Sequence, residues 1–121
     1  MSNNHLVNAV RLGPILPLPE GMKRIVVASP TVLDSASRGP FYEAALTALD
    51  SLGTDDPGGQ LVVDMRLTDR VDSSGLSTLV LLQVRAAERK HTVALRGASE
   101  EIRFLLLMTR LEDRFDLTPD A

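Results

Sequence analysis

The residues that could carry chemistry are concentrated in one polar string, Val71-Asp72-Ser73-Ser74-Gly75-Leu76. It lies between an apolar run that ends at Asp64 and a longer apolar run of helical length. Short side chains that bear oxygen accept hydrogen bonds from the free N–H groups of a first helical turn, so Asp72, Ser73 and Ser74 are all good N-cap residues. The string therefore predicts two hydroxyls at the positive end of a helix dipole, where an added phosphate could be accommodated.

Catalysis and metal binding are poorly supported by the same residues. Acyl transfer by Ser73 requires a general base and an oxyanion site. The only histidines are His5 and His91, and the sequence places neither beside Ser73. The string also differs from the Gly-x-Ser-x-Gly turn of hydrolases. Because two isolated histidines without cysteine are a weak metal signal, we expect no catalytic activity, no metal and no cofactor.

The elements around the string predict a strand, a loop and a helix. Residues 61–65 form a β-branched run with little alternation, which is typical of a strand buried on both faces. The loop over residues 66–72 leads to a helix from about residue 74 to residue 89. In that helix the pattern predicts a buried stripe formed by Leu76, Leu79, Val80 and Val84.

The rest of the chain continues this alternation of strands and helices. Further strands are predicted over residues 6–12, 23–28, 91–95 and 114–117, and further helices from Pro40 to Leu52 and from Glu100 to about Thr109. Such an order implies right-handed crossovers and a mainly parallel sheet. We expect one α/β domain over residues 1–121, with a mixed, mainly parallel sheet of four to five strands and three or more helices. Residues 1–22 would supply its N-terminal strand and a Pro-rich lead-in segment.

Composition restricts the classes of function. The chain of 121 residues is 44% hydrophobic and 24% charged, which is ordinary for a soluble globular domain. A formal net charge of -3 argues against a direct nucleic-acid partner. The longest apolar run is too short to span a membrane, and the N-terminus lacks the pattern of a signal peptide. We therefore expect a cytoplasmic protein without membrane insertion.

The string and its surroundings resemble the STAS domain of bacterial anti-sigma factor antagonists. The resemblance rests on the Asp-Ser-Ser-Gly-Leu string, its spacing from Asp64 and the apolar helix after it. The sequence Val32-Leu33-Asp34 before the first helix is similar to another signature of the family, as is Met108-Thr109-Arg110-Leu111 followed by Phe115. Together these features cover the chain from about residue 23 to residue 117.

The resemblance implies a switch that is controlled by phosphorylation. Such proteins bind an anti-sigma factor that is also a serine kinase, and their unmodified form captures the kinase and releases the sigma factor. Phosphorylation of the first Ser after the Asp, here Ser73, ends the capture, and a serine phosphatase restores it. The kinase supplies nucleotide and metal, so the chain itself needs no cofactor. The residues implied in partner binding are Asp34, Asp72, Ser73, Ser74, Gly75 and Leu76.

Several assignments remain open at the level of sequence. Ser73 is either a phosphoacceptor or an ordinary helix cap. Asp34 is either a loop-forming Asx turn or a partner contact, and Asp64 is expected to fix the loop after its strand. Two other functions stay in competition: a STAS regulatory subunit of a membrane lipid or anion transport complex, and a scaffold in a stress-signalling assembly.

The third predicted helix is apolar over more than one face. Ile102, Leu105 and Leu106 form one stripe, and a neighbouring stripe contains Phe104, Leu107, Met108 and Leu111. A helix that packs on one side needs only one such stripe. The second stripe indicates either a larger core contact or an interface, which includes a possible homodimer through this helix.

Overall fold

The computed structural model of the protein describes residues 23–55 and 57–118. The predicted strand over residues 6–12 and the Pro-rich lead-in segment lie outside the described residues. The elements in chain order are β1 (Arg24–Ala28), β2 (Val32–Leu33), α1 (Arg38–Asp50), β3 (Gln60–Asp64), β4 (Arg70–Val71), α2 (Ser73–Glu88), β5 (Thr92–Arg96), α3 (Glu100–Met108), a 3₁₀ helix (Glu112–Arg114) and β6 (Asp116–Thr118).

The main sheet has four strands in the order β1-β3-β5-β6, and all of its pairings are parallel. The register aligns Ala28, Asp64 and Arg96 at the carboxyl ends of β1, β3 and β5. The alternation of strands and helices produces this arrangement because parallel neighbours need a crossover between them. The predicted α/β fold with a mainly parallel sheet and three helices is confirmed.

The hydrophobic core lies between one face of the sheet and the three helices. Leu61 and Val63 point from β3 into this core, whereas Val62 points to the opposite face beside Ala94. The core is aliphatic, as a chain with 3% aromatic residues requires. Its largest fully buried side chains are Leu33, Leu49, Leu61, Met65, Leu79, Leu82, Leu95, Leu106, Val62, Val63 and Val93.

The buried stripe of α2 differs in part from the predicted one. Leu79 is buried as expected, but Val84 is 38% exposed, and Leu82 and Ala86 face the core instead. The rotation of the helix follows from its first turn, where Gly75 lies against the backbone of β2. Gly75 and Leu33 are far apart in the sequence, so the apolar pattern of the helix alone predicted the wrong buried face.

A second, two-stranded sheet pairs β2 with β4 in parallel, and the sequence did not predict it. It ties the loop after β1 to the loop after β3. Asp69 N donates to Thr31 O at 2.7 Å, and the Thr68 hydroxyl donates to Pro30 O at 2.8 Å. Strands of two residues are too short to show an alternating pattern. β4 therefore lies within the predicted loop over residues 66–72, and no element was predicted at residues 32–33.

The bounds of the first and third helices also differ slightly from the prediction. Pro40 lies in the first turn of α1, as predicted, and the helix begins two residues earlier, at Arg38. A missing N–H in the first turn leaves no intrahelical bond unmade. Gly53 follows the end of α1 with a positive φ of 73°, which suits glycine. α3 ends at Met108 rather than Thr109, and Thr109 is its C-cap.

Candidate functional site

The small sheet brings two aspartates to the same edge of the molecule. Its register pairs Leu33 with Val71, and Asp34 and Asp72 are the next residues along the two parallel strands. Asp72 N donates to Leu33 O at 3.2 Å, which continues the pairing by one step. Each aspartate precedes a helix, so the beginnings of α1 and α2 lie side by side.

Asp72 is the N-cap of α2, as its place in the polar string allowed. Its Oδ1 accepts a hydrogen bond from Gly75 N at 2.9 Å. Because Asp72 takes the cap position, Ser73 becomes the first residue of the helix, and α2 begins at Ser73 rather than residue 74. The side chain of Ser73 is exposed. The predicted exposed hydroxyl at the N-terminus of a helix is therefore present.

Gly75 is buried at the closest approach between the two loops. A Cβ at this position would be 2.9 Å from the Leu33 Cγ and the Leu33 carbonyl carbon, and closer still to the Leu33 oxygen. Ordinary Cβ contacts lie at 3.4 Å or more. The close packing of β2 on the first turn of α2 therefore requires glycine, for a reason independent of any partner.

Ser74 and Leu76, the remaining predicted site residues of the string, are both turned partly inward. Ser74 is half-buried, and its carbonyl accepts a hydrogen bond from the Thr78 hydroxyl at 2.8 Å. Leu76 is half-buried and packs against the main core. The structure thus brings all six predicted site residues together, with Ser73 the exposed hydroxyl of the group.

Asp34 shapes the loop before α1. Its Oδ1 accepts hydrogen bonds from Ala36 N at 3.0 Å and from Ser37 N at 3.1 Å. The Ser37 hydroxyl donates to Val32 O at 2.6 Å and accepts from Asp34 N at 3.0 Å. This is the turn that a short acidic side chain forms with its own backbone. A contact between Asp34 and a partner stays a prediction.

Arg38 connects the two helix beginnings, and sequence reasoning missed it. Its Nε donates to the Thr78 hydroxyl at 2.9 Å, from α1 to α2 across 40 residues of sequence. Thr78 is completely buried, whereas Arg38 is exposed. No local pattern in the sequence indicates a contact at such separation.

Asp64 fixes the loop that follows β3, as expected. Its Oδ1 accepts from Arg66 N at 3.1 Å, and its carboxylate forms an ion pair with the Arg66 guanidinium at 2.8 Å. The hydrogen bond from the Arg66 side chain is the main reason why the pKa of Asp64 lies below its usual value. Arg96, nearly fully buried, adds a weaker attraction, with its Nη1 at 3.9 Å from Asp64 Oδ2.

A surface pocket of about 350 Å³ opens next to this ion pair. Leu67 on its rim is 80% exposed. Among the described residues, the buried hydroxyl of Ser29 has no hydrogen-bond partner. The pocket is lined by Ala28, Ser29, Asp64, Arg66 and Leu67.

His91 is occupied by a structural role far from Ser73. Its Nδ1 accepts from Gly59 N at 2.9 Å, and its Nε2 lies 2.6 Å from Gly53 O. It precedes β5 at the amino ends of the parallel strands, whereas Ser73 follows their carboxyl ends. Within residues 23–55 and 57–118, no histidine stands beside Ser73, and no group of three or more His, Cys, Asp or Glu side chains is arranged to hold a metal ion.

α3 divides its apolar residues between core and surface. Ile102 and Leu106 are buried, and Leu105 is half-buried. Phe104 is 61% exposed and Met108 is 65% exposed, and Leu107 shares this outer face. Leu111, the fourth member of the predicted second stripe, is half-buried and packs against the core. The part of the stripe formed by Phe104, Leu107 and Met108 is therefore a surface of the described structure.

A family model described as "Mlab, STAS domain" matches residues 21–119. The chain belongs to the STAS domain family. This confirms the STAS domain that the Asp72 to Leu76 string and its surroundings indicated. No curated protein sequence matches the chain significantly.

Solved structures of STAS domains share the fold at low sequence identity. The chain is similar to a sulfate transporter family protein from Wolinella succinogenes, with 17% identity, a TM-score of 0.60 and coverage of 86% of this chain and 80% of that one. It is similar to the SulP transporter STAS domain from Vibrio cholerae, with 17% identity, a TM-score of 0.55 and coverage of 83% and 75%.

A third similar structure is a much longer protein. The murine Solute Carrier 26 family member A9 (Slc26a9) anion transporter, in its inward-facing state, is 17% identical with a TM-score of 0.65. The similarity covers 84% of this chain but 16% of the transporter. In the part of the chain that the structure describes, no helix has the length and apolar character needed to cross a bilayer. These similarities concern the fold.

Proposed function

We propose that this STAS domain is an anti-sigma factor antagonist whose binding is controlled by phosphorylation of Ser73. The observation that supports the proposal is the exposed Ser73 hydroxyl at the first position of α2. A kinase needs an accessible hydroxyl, and a switch needs that hydroxyl on a rigid surface. The Asp72 cap and the close contact of Gly75 with Leu33 supply the rigidity.

The fold itself should tolerate the modification. A phosphate adds about -1.5 to -2 charges at neutral pH. The N-terminus of α2 favours negative charge by roughly 0.3–1 kcal/mol at an exposed position. Asp69 and Asp72 oppose it, so little net change in stability is expected.

A partner surface should not tolerate it. An interface fitted to the small hydroxyl of Ser73 would have to bury a bulky dianion. Removing an unpaired charge from water costs several kcal/mol of binding free energy. Each ~1.4 kcal/mol is a tenfold change in affinity. Binding should therefore fall by orders of magnitude while the domain stays folded.

In this proposal the chain binds and does not catalyse. Its partner is an anti-sigma factor serine kinase that supplies nucleotide and metal, and a serine phosphatase reverses the modification. The switch operates in the cytoplasm. The partner-binding surface is formed by Asp34, Asp72, Ser73, Ser74, Gly75 and Leu76.

A second candidate function is a regulatory subunit of a membrane lipid or anion transport complex. The observation that favours it is that the three similar structures come from sulfate or anion transport proteins. In that case the chain would dock on a permease or its ATPase. The exposed face of α3 with Phe104, Leu107 and Met108 is a candidate surface for such a contact or for a homodimer.

Affinity capture with three baits distinguishes the two functions. The unmodified protein and Ser73→Ala should retain the same serine kinase from lysate, whereas Ser73→Asp should retain little of it. Capture of a permease or transport ATPase by all three baits, with no kinase, would contradict the antagonist function and favour the transport subunit. Size-exclusion chromatography of the protein and Leu107→Glu tests the homodimer in parallel.

A further inference from the structure

The outer face of α3 carries three exposed apolar side chains. Phe104 is 61% exposed, Leu107 is 49% exposed and Met108 is 65% exposed. Residues three and four apart lie on one side of a helix, so these three form a single patch, which we name the α3 face. Phe104 is two residues away from both Ile102 and Leu106, the buried residues of α3, and therefore points away from the core. Large apolar side chains exposed together are typical of an interaction surface.

Charges of opposite sign stand at the two ends of the α3 face. Glu100 and Glu101 are exposed at its amino end, four and three residues before Phe104, and so lie on the same side of the helix. Arg110 is exposed just beyond the carboxyl end. Within residues 23–55 and 57–118, none of these three charged side chains takes part in an ion pair. The surface is thus acidic, then apolar, then basic along the helix.

We propose that the α3 face binds a second copy of this chain, with the two α3 helices antiparallel about a two-fold axis. An interface between identical copies related by such an axis must be complementary to itself. The two-fold axis turns the acidic end of one α3 towards the basic end of the other, so one surface supplies both members of each ion pair. A parallel arrangement would instead place like charges together. The inference is independent of any modification of Ser73.

The apolar and the ionic contacts of this dimer occur in the same register. When Phe104 of one copy lies against Met108 of the other, equal steps along the two antiparallel helices bring Arg110 of the first copy to within one residue of Glu101 of the second. One residue is a rise of about 1.5 Å along the helix axis. Helices packed about 8–10 Å apart keep two such long side chains within reach of one another. By symmetry, the ion pair forms twice in each dimer.

The apolar centre is small, because each copy contributes three side chains to it. Stable specific interfaces bury about 1,600 Å² in total, and smaller ones are typical of reversible complexes. We therefore expect a reversible dimer with a Kd on the order of 10 μM.

Sedimentation velocity of the whole chain, from about 1 to about 200 μM, measures this association directly. The variants are Leu107→Glu, Glu101→Arg, Arg110→Glu and an equimolar mixture of the last two, each with a thermal melt to show that it is folded. Either charge reversal alone sets like charges against each other in its own dimer, whereas in the mixture each cation meets an anion again. Arg70→Glu on β4 is the control, since it makes the same charge change as Arg110→Glu at another exposed position.

The unchanged protein and Arg70→Glu should dimerise alike, and Leu107→Glu should stay monomeric. Each charge reversal alone should weaken the association roughly tenfold, because two exposed ion pairs change from attraction to repulsion. The mixture should recover the affinity to within about twofold. A dimer that survives Leu107→Glu, or a mixture that associates no more tightly than its components, would overturn the proposal. A monomer at the highest concentration would also overturn it and leave the α3 face to a different protein.

Discussion

Replacing Gly75 with alanine tests the packing that fixes the Ser73 surface. The added Cβ would be 2.9 Å from the Leu33 Cγ and the Leu33 carbonyl carbon, and closer to the carbonyl oxygen. Leu33 is fully buried, so neither its side chain nor its backbone can move freely. Overpacking of this kind costs about 1–3 kcal/mol, occasionally more. Alanine is favoured over glycine in a helix by about 1 kcal/mol, which offsets only part of that cost.

The chain offers a matched control at Gly39, in the first turn of α1, where a Cβ would meet nothing within 4 Å. We expect Gly75→Ala to lower the unfolding free energy by about 1–2 kcal/mol and the Tm by roughly 3–10 °C. Gly39→Ala should be neutral or slightly stabilising. Urea unfolding and calorimetry of the three proteins measure both quantities. Equal stability of Gly75→Ala and the unchanged protein would refute the argument that β2 requires glycine at this contact.

Three further substitutions test the site. Asp72→Ala removes the helix cap and should lower the unfolding free energy, measured in urea, by about 0.5–2 kcal/mol, whereas Asp72→Asn keeps a capping oxygen and should be nearly neutral. An equal loss of unfolding free energy in the two variants would exclude capping. Thr78→Val keeps the shape of the side chain but removes the hydroxyl that links α1 to α2, and we expect the unfolding free energy to fall by about 1 kcal/mol. An unchanged unfolding free energy would mean that the hydrogen bond between Arg38 and Thr78 does not stabilise the domain. Because Arg66 lowers the pKa of Asp64, the stability from this pair is complete above the ordinary pKa of about 4 and is lost as pH falls through the lower folded value. Asp64→Asn should flatten the acid limb of the pH–stability curve, and an unchanged limb would contradict the assignment.

The strand–turn–helix junction at the site was predictable because its causes are local. A β-branched run buried on both faces identifies β3 by composition alone. Asp72 caps α2 through a hydrogen bond to a residue three positions away, which is the distance that short acidic side chains span. The exposed hydroxyl of Ser73 follows from the same local geometry.

The features that the sequence missed depend on contacts between distant residues. β2 and β4 have two residues each and exist because the two loops pair with one another. The bond from Arg38 to Thr78 spans 40 residues. The phase of α2, which exposes Val84, is set by the contact of Gly75 with Leu33. Periodicity reports which face of an element is apolar, but it does not report which loop will pack against it.

The most direct test of the proposed switch is calorimetric titration of the serine-kinase partner against four forms of the protein. These are the unmodified protein, Ser73→Ala, Ser73→Asp and the protein phosphorylated on Ser73, each with a thermal melt. The unmodified form and Ser73→Ala should bind tightly, Ser73→Asp poorly, and the phosphorylated form orders of magnitude more weakly at unchanged Tm. Equal affinity of the phosphorylated and unmodified forms, or a phosphate found by mass spectrometry on Ser74, Ser35 or Ser37 instead, would contradict the assignment of Ser73 as the switch.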